Sequence, residues 1–162
     1  MISDSPIGRL WIETTERGIR RIDFLHDRVA PAAKTSANPD LEREAARQID
    51  EYFAGARRDF ELPLDLEGSA FQRNCWQAIA AIPFGETLTY AEVAAAVGAP
   101  SAYRAAGSAC AHNPIVIVVP CHRVVGSDGH LHGFGGGLDT KAWLLKHEGT
   151  KIGPVRKQAV LV

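Results

Sequence analysis

The sequence predicts two dissimilar halves: an α/β segment built on a β-hairpin and one helix, then a mainly helical segment that contains two short adjacent helices and an apolar run ending in a cysteine. Three observations carry this reading. Apolar and β-branched residues gather in two short runs before residue 26. Side-chain-capped helix starts crowd together only after residue 67. One uncharged run, Ile115-Val116-Ile117-Val118-Val119, ends on Pro120-Cys121-His122-Arg123.

Taken in order, Ile7 to Thr14 and Gly18 to Leu25 are the hairpin strands, separated by the polar Thr15-Glu16-Arg17. Residues 27 to 38, rich in Ala and Pro, read as a loop. Asn38-Pro39-Asp40 starts a helix, with Asn as cap, Pro in the first position and an acid in the first turn. Leu41, Ala45, Ile49, Tyr52 and Phe53 follow at helical spacing, and Gly55 is the expected stop. Phe60 to Leu66 alternates and reads as a third strand or an extended linker. Ser69-Ala70-Phe71-Gln72 is a capping box opening a helix to about Ile82, ended by Pro83-Phe84-Gly85. Thr89-Tyr90-Ala91-Glu92 is a second capping box, for a short helix that stops at Gly98. Ser101 is expected to cap a third, running to about Ala111. The last helix is expected from about Asp139 to Glu148, with Gly149 as its stop.

Two short helices joined by Gly98-Ala99-Pro100 have the dimensions of a helix-turn-helix, though an ordinary helical hairpin in a core fits the same pattern. Its second helix is smooth, with Ala102, Ala105, Ala106, Gly107, Ser108 and Ala109 around a single charged side chain, Arg104. Base-edge readout needs several long polar side chains, so this helix reads shape, with one finger.

The apolar run before Pro120 reads as a buried strand, which places Cys121 at a strand end. A cysteine there can be core filler, but His122 and Arg123 are costly to bury unpaired and both favour a nearby thiolate. Side chains on extended backbone alternate, so His122 reaches the sulfur only if the chain turns or a water bridges them. Glu148, at a helix C-terminus where a carboxylate opposes the macrodipole, is explained by a histidine partner. The glycines of His132-Gly133-Phe134-Gly135-Gly136-Gly137 are not a phosphate loop, because no Gly-Lys-Ser/Thr follows; they let backbone approach a flat ligand beside Phe134.

Composition narrows the remaining classes. A hydrophobic content of 46% in 162 residues suffices for a folded core. The first thirty residues contain no signal-like apolar segment and no run reaches spanning length, so a cytoplasmic protein off the membrane is expected. Three cysteines, Cys75, Cys110 and Cys121, without C-x-x-C spacing argue against a disulfide framework or a zinc knuckle. A net charge of -1 leaves nucleic-acid binding to a local patch.

Together the pieces resemble the O6-alkylguanine-DNA alkyltransferase family. The resemblance covers Ser5-Pro6-Ile7-Gly8 and, densely, about Phe71 to Gly149. Pro120-Cys121-His122-Arg123-Val124 is its most specific part, joined by Pro83-Phe84-Gly85-Glu86, Thr89-Tyr90, Ala102 to Gly107, Asn113-Pro114 and Leu144-Leu145-Lys146-His147-Glu148-Gly149. It implies an α/β N-terminal domain of ribonuclease-H-like topology over 1–66, a mainly helical DNA-binding and alkyl-acceptor domain with the helix-turn-helix over 67–151, and a tail over 152–162.

It also implies stoichiometric, suicidal transfer of an alkyl group from O6-alkylguanine, and from O4-alkylthymine, in double-stranded DNA entered from the minor groove, with the lesion rotated out of the stack. Cys121 would accept the alkyl group, His122 would relay its proton through water, and Glu148 would hold the imidazole. Tyr90 would protonate the departing guanine and Asn113 would brace the turn. Arg104 would fill the gap in the stack, with Ser101, Ala105, Gly107, Tyr90 and Arg123 as further DNA contacts. The carbonyls of Cys121 and Val124 would accept from the exocyclic amine, Phe134 would stack and the Gly135 N–H would donate to O6. Phe134 stands where the family commonly has Tyr and Gly135 where some members have Ser. No metal and no cofactor are expected, and a monomer, with cooperativity along DNA left open. Two other readings fit the residues: a cysteine hydrolase using Cys121, His122 and Glu148, and a helix-turn-helix lesion binder without chemistry.

Overall fold

A computed structural model describes residues 1–32, 36–128, 131, 134 and 136–151. Two compact units divide the chain: Met1–Glu67 with Pro114–Val116, and Gly68–Asn113 with Ile117–Val162.

The first unit is a three-stranded antiparallel sheet, β1 (Ile2–Ser3), β2 (Leu10–Thr14) and β3 (Ile19–Phe24), with helix α1 (Pro39–Phe53) packed on β2. The expected hairpin is β2 and β3, and β1 is an added edge too short to show alternation. Leu10, Ile12, Ile19, Ile22 and Phe24 bury one face against Ala45, Ile49 and Tyr52 of α1. Asn38 caps α1 through its side chain, accepting from the Leu41 N–H at 3.1 Å. Gly55 follows the helix in the left-handed region, with φ +79.

Phe60 to Leu66 makes no third strand, only one parallel bridge between Leu64 and Ile19. Pro63 cannot donate to a ladder, and its carbonyl instead accepts from the Ile19 N–H. The chain also passes so close at Gly18 that a Cβ there would lie 2.6 Å from the Pro63 oxygen.

The second unit holds helices α2 (Ala70–Ala80), α3 (Tyr90–Ala96), α4 (Tyr103–Ala111) and α5 (Leu138–His147), with a two-stranded parallel pair, β4 (Leu88–Thr89) and β5 (Val124–Val125). Both capping boxes form: Ser69 with Gln72, and Thr89 with Glu92. Ser101 caps nothing. The N-cap of α4 is Ala102, without a side-chain hydrogen bond. Trp76 locks α2 to α4, its Nε1 donating to the Ala109 carbonyl at 2.8 Å. Val93, Ala94, Ala106 and Ala109 fill the remaining space between the helices.

The expected strand over Ile115 to Val119 is absent, and Cys121 is therefore not at a strand end. Ile115 forms one bridge to Ile22 within the first unit, held by the Ile22 N–H on the Pro114 carbonyl and the Val116 N–H on the Ile22 carbonyl. At Ile117 the backbone enters the left-handed region, φ +71, and Cys121–Arg123 forms a 3-10 turn. An apolar run buried at all but Val118 carries no alternation, so its period cannot separate a strand from a buried irregular path.

Candidate active site

The 3-10 turn carries Cys121, His122 and Arg123 on one tight stretch of backbone. The Cys121 N–H donates to the Val119 carbonyl and the Arg123 N–H to the Pro120 carbonyl, each at 2.8 Å. Asn113, just after α4, ties the turn down: its Nδ2 donates to the Val119 carbonyl at 2.7 Å and to the Cys121 sulfur at 3.0 Å. Asn113 thus braces the turn and also touches the sulfur.

Cys121, His122, Arg123 and Glu148 are all buried. Glu148 sits at the C-cap of α5 and gathers two partners. Its Oε2 meets His122 Nε2 at 2.8 Å and accepts from Arg123 Nη2 at 3.0 Å; its Oε1 accepts from Arg123 Nε at 2.8 Å. The remaining Arg123 group donates to the Ile82 carbonyl at 2.6 Å, and the guanidinium lies over Phe84. Arg123, expected at the DNA surface, is instead buried with its guanidinium forked onto Glu148. Gly107 is buried on the inner side of α4 and Tyr90 is buried as well, while Ser101, Arg104 and Ala105 are exposed.

The electrostatics follow from this geometry. Burial alone would raise the Glu148 carboxyl, but hydrogen bonds from His122 and Arg123, with the Arg123 charge, hold it well below the ordinary carboxylate range. An ionised Glu148 accepts only, which assigns the His122 proton to Nε2. Nδ1 is the ring atom left as acceptor, and it is buried without a hydrogen-bond partner among the described residues. Burial lowers His122, with Glu148 opposing, so the imidazole rests neutral. Burial raises the Cys121 thiol, while the Asn113 hydrogen bond and the Lys141 charge pull the other way. The thiol therefore holds its proton at rest and needs a base.

Lys141 is a buried ionisable residue beside the site that the sequence does not single out. It is fully buried, its Nζ donating to the Val124 carbonyl at 2.6 Å and to the Tyr90 hydroxyl at 3.4 Å. Burial lowers its pKa to about 8, with Cys121 and Cys110 opposing. Burial also raises the Tyr90 hydroxyl, which stays protonated. A signal existed: Lys141, Leu144, Leu145 and Glu148 share one helical stripe, where two ionisable residues flank a core pair.

Both carbonyls expected to face the guanine amine already accept one hydrogen bond, Val124 from Lys141 and Cys121 from the Val124 N–H, leaving each a second lone pair. Phe134 is half-buried, and its carbonyl accepts from the Gly137 N–H at 2.9 Å. Gly135 lies outside the described residues, as does the tail from 152. Among the described residues no group of three or more His, Cys, Asp or Glu could hold a metal ion. No helix among them is long and apolar enough to cross a membrane.

Two family models match the chain. One, described as the ribonuclease-like domain of 6-O-methylguanine DNA methyltransferase, matches residues 2–66, and the other, its DNA binding domain, matches residues 70–150. A methylated-DNA--protein-cysteine methyltransferase of Methanosarcina barkeri is 48% identical over 149 residues, covering 91% of this chain and 94% of its own. One of Mycobacterium leprae is 54% identical over 147 residues, covering 90% and 88%. The crystal structure of Mycobacterium tuberculosis OGT in complex with DNA superposes with a TM-score of 0.81 at 42% identity, covering 91% of this chain and 90% of that one.

Proposed function

The chain belongs to the 6-O-methylguanine DNA methyltransferase family, which repairs DNA by moving an alkyl group onto a cysteine of the protein, and from that premise we propose that Cys121 is the acceptor and that the surrounding buried groups drive one transfer per chain. The single observation that supports this assignment best is the ordered set of buried contacts Asn113–Cys121 and His122–Glu148–Arg123.

The transfer is an in-line displacement. The Cys121 sulfur forms a bond to the alkyl carbon as the O6–carbon bond breaks, and that bonding pair stays with the guanine. The thiol proton passes through a water to His122 Nδ1, and Glu148 stabilises the imidazolium. Guanine leaves well only if protonated, so the Tyr90 hydroxyl delivers its proton to ring nitrogen N3. The Lys141 ammonium, 3.4 Å from that oxygen, steadies the phenolate left behind. The product is a thioether, which water does not reverse.

The exposed outer face of α4 fits the minor groove, with Arg104 entering the gap left by the extruded base, while Ser101 and Ala105 give a low profile beside it. Buried, unpaired cysteines suit a reducing compartment, and we place the reaction in the cytoplasm. The substrates are O6-alkylguanine and, by the same chemistry, O4-alkylthymine in duplex DNA.

Intact-mass measurement after mixing with a duplex carrying O6-methylguanine tests the proposal. One methylene's mass should appear per chain, located at Cys121, with a burst equal to the protein concentration. Cys121→Ser should retain DNA affinity and lose transfer. Product beyond one equivalent would instead favour a turning-over hydrolase.

A further inference from the structure

Five large apolar or aromatic side chains are exposed among the described residues: Met1, Ile2, Val29, Tyr103 and Trp143. Trp143 already stacks on His147 at 5.2 Å. Tyr103 is different. It opens α4, is 48% exposed, and its ring centre lies 6.0 Å from the guanidinium carbon of Arg104. The rest of that helix's exposed surface is Ala105, Ser108 and Ala111, followed by His112, whose Nδ1 is engaged by the Ser108 carbonyl. A bulky ring and a long cation therefore rise together from a low surface.

An exposed phenol next to an arginine needs a physical account. Phenol rings bury a large area at small cost in side-chain entropy, which favours them where one face turns dry on binding. At 6.0 Å the cation–π attraction sits at its outer limit, enough to bias the guanidinium without holding it down. Neighbouring helical residues point about 100° apart, so both side chains cannot enter one gap in a base stack. If Arg104 occupies the gap, a ring this close to its guanidinium reaches the strand across from it.

We propose that Tyr103 is an aromatic wedge beside the Arg104 finger, taking the face of the base left unpaired opposite the extruded lesion. This rests on the reading of α4 as the helix that enters the minor groove. The chemistry is stacking: every base offers a π-face, so the contact is indifferent to sequence and exists only once the lesion has left the helix. Its stabilisation then falls on the flipped state, adding to what Arg104 contributes. Tyr103 touches no reacting atom and acts on the flipping step alone.

The test compares transfer rates on a methylated duplex and on a free O6-alkylguanine base for Tyr103→Ala, Tyr103→Leu and Tyr103→Phe. Tyr103→Ala should slow the duplex reaction by about tenfold, the scale of one stacked base, while Tyr103→Phe stays within about twofold of the parent. Tyr103→Leu should fall between them, and the free-base rate should hold throughout. In a Cys121→Ser background, 2-aminopurine placed opposite the lesion should be quenched by Tyr103 and brighten in Tyr103→Ala. A wild-type duplex rate in Tyr103→Ala, an equal loss on the free base, or Tyr103→Phe as slow as Tyr103→Ala would each overturn the wedge. A duplex-specific loss in Arg104→Ala but none in Tyr103→Ala overturns the wedge and leaves the finger standing. No duplex-specific loss in either variant overturns the reading of α4 itself. Because Tyr103 is half-exposed, the thermal midpoint should barely move, and the Leu and Phe variants carry the comparison should Ala disturb the helix start.

Discussion

Glu148 holds two partners at once, the Arg123 guanidinium and the His122 imidazole, and that decides what its loss would do. Glu148→Gln leaves the Arg123 guanidinium buried beside a neutral amide, at a cost of about 3 kcal/mol in stability. It also removes the charge that favours the imidazolium, so transfer should slow by roughly a hundredfold near neutrality and recover part of its rate in mildly alkaline buffer. The two effects separate in Arg123→Met with Glu148→Gln, where stability should return towards the parent while the pH–rate profile stays displaced. A double variant with the parental profile would mean Glu148 acts only as a structural anchor. Lys141 offers a second pH signature. Its folded pKa of about 8 lies below the usual value of about 10.4, so between these pH values the unfolded chain holds a proton that the folded chain has lost. Stability owed to Lys141 should then rise with pH across that window, while the buried thiols Cys110 and Cys121, pushed up by burial, work in the opposite direction. Subtracting a Lys141→Met denaturation profile isolates the lysine, and a flat difference would show that it titrates normally. At this scale His122 and Glu148 were legible because each is awkward where it stands, a histidine in an apolar context and an acid at a helix C-terminus. The cost of burying Arg123 unpaired pointed to a buried partner, which Glu148 supplies, whereas the family resemblance placed it among the DNA contacts.

Helix starts proved the most legible elements, since a capping box writes both of its hydrogen bonds into four residues. Ser69→Ala and Thr89→Ala should each cost about 1 kcal/mol in denaturant melts. Thr89→Ala should also slow transfer, because Tyr90 is the first residue of the helix that Thr89 fixes. Ser101→Ala should stay within about 0.5 kcal/mol of the parent, its hydroxyl capping nothing. A cost near that of Thr89→Ala would mean that Ser101 caps α4 in solution. The least legible element was the path from Ile115 to Pro120. Five branched residues in a row satisfy the composition of a strand, yet the chain spends only Ile115 in a bridge and then turns through a β-branched residue at φ +71. Such a backbone costs on the order of 1 to 3 kcal/mol and persists only where its surroundings fix it. Here Asn113 fixes it from one side, through the Val119 carbonyl and the Cys121 sulfur. Pairwise propensity cannot anticipate a conformation held by the Asn113 side chain reaching Val119, six positions on.

Across the whole chain the near-neutral net charge hides a division of labour. Residues 1–67 with 114–116 contain 10 Lys and Arg against 14 Asp and Glu, whereas the remaining residues contain 8 against 5. The second unit is thus the basic one, although two of its cations, Arg123 and Lys141, are buried and cannot meet a phosphate. The exposed cations among its described residues are Arg73, Arg104, Lys146 and Lys151. With Arg156 and Lys157, which lie outside the described residues, this unit offers at most six cations to phosphates, so log K should fall against log salt at a slope no steeper than roughly −5. Most of the binding must then come from shape, stacking and the captured base. Within that picture Arg104 has a distinctive signature. A guanidinium inserted into the base stack releases no phosphate counterion, whereas one resting on the backbone releases about one. Arg104→Ala should therefore weaken duplex binding in the Cys121→Ser background and slow duplex transfer, since unstacking a base costs a few kcal/mol that the finger offsets in part. Its salt slope should match the parent's, and its rate on a free alkylguanine base should be unchanged. Titrations at several salt concentrations decide the matter: a slope shallower by about 1 would move Arg104 from the gap in the stack to the phosphate backbone.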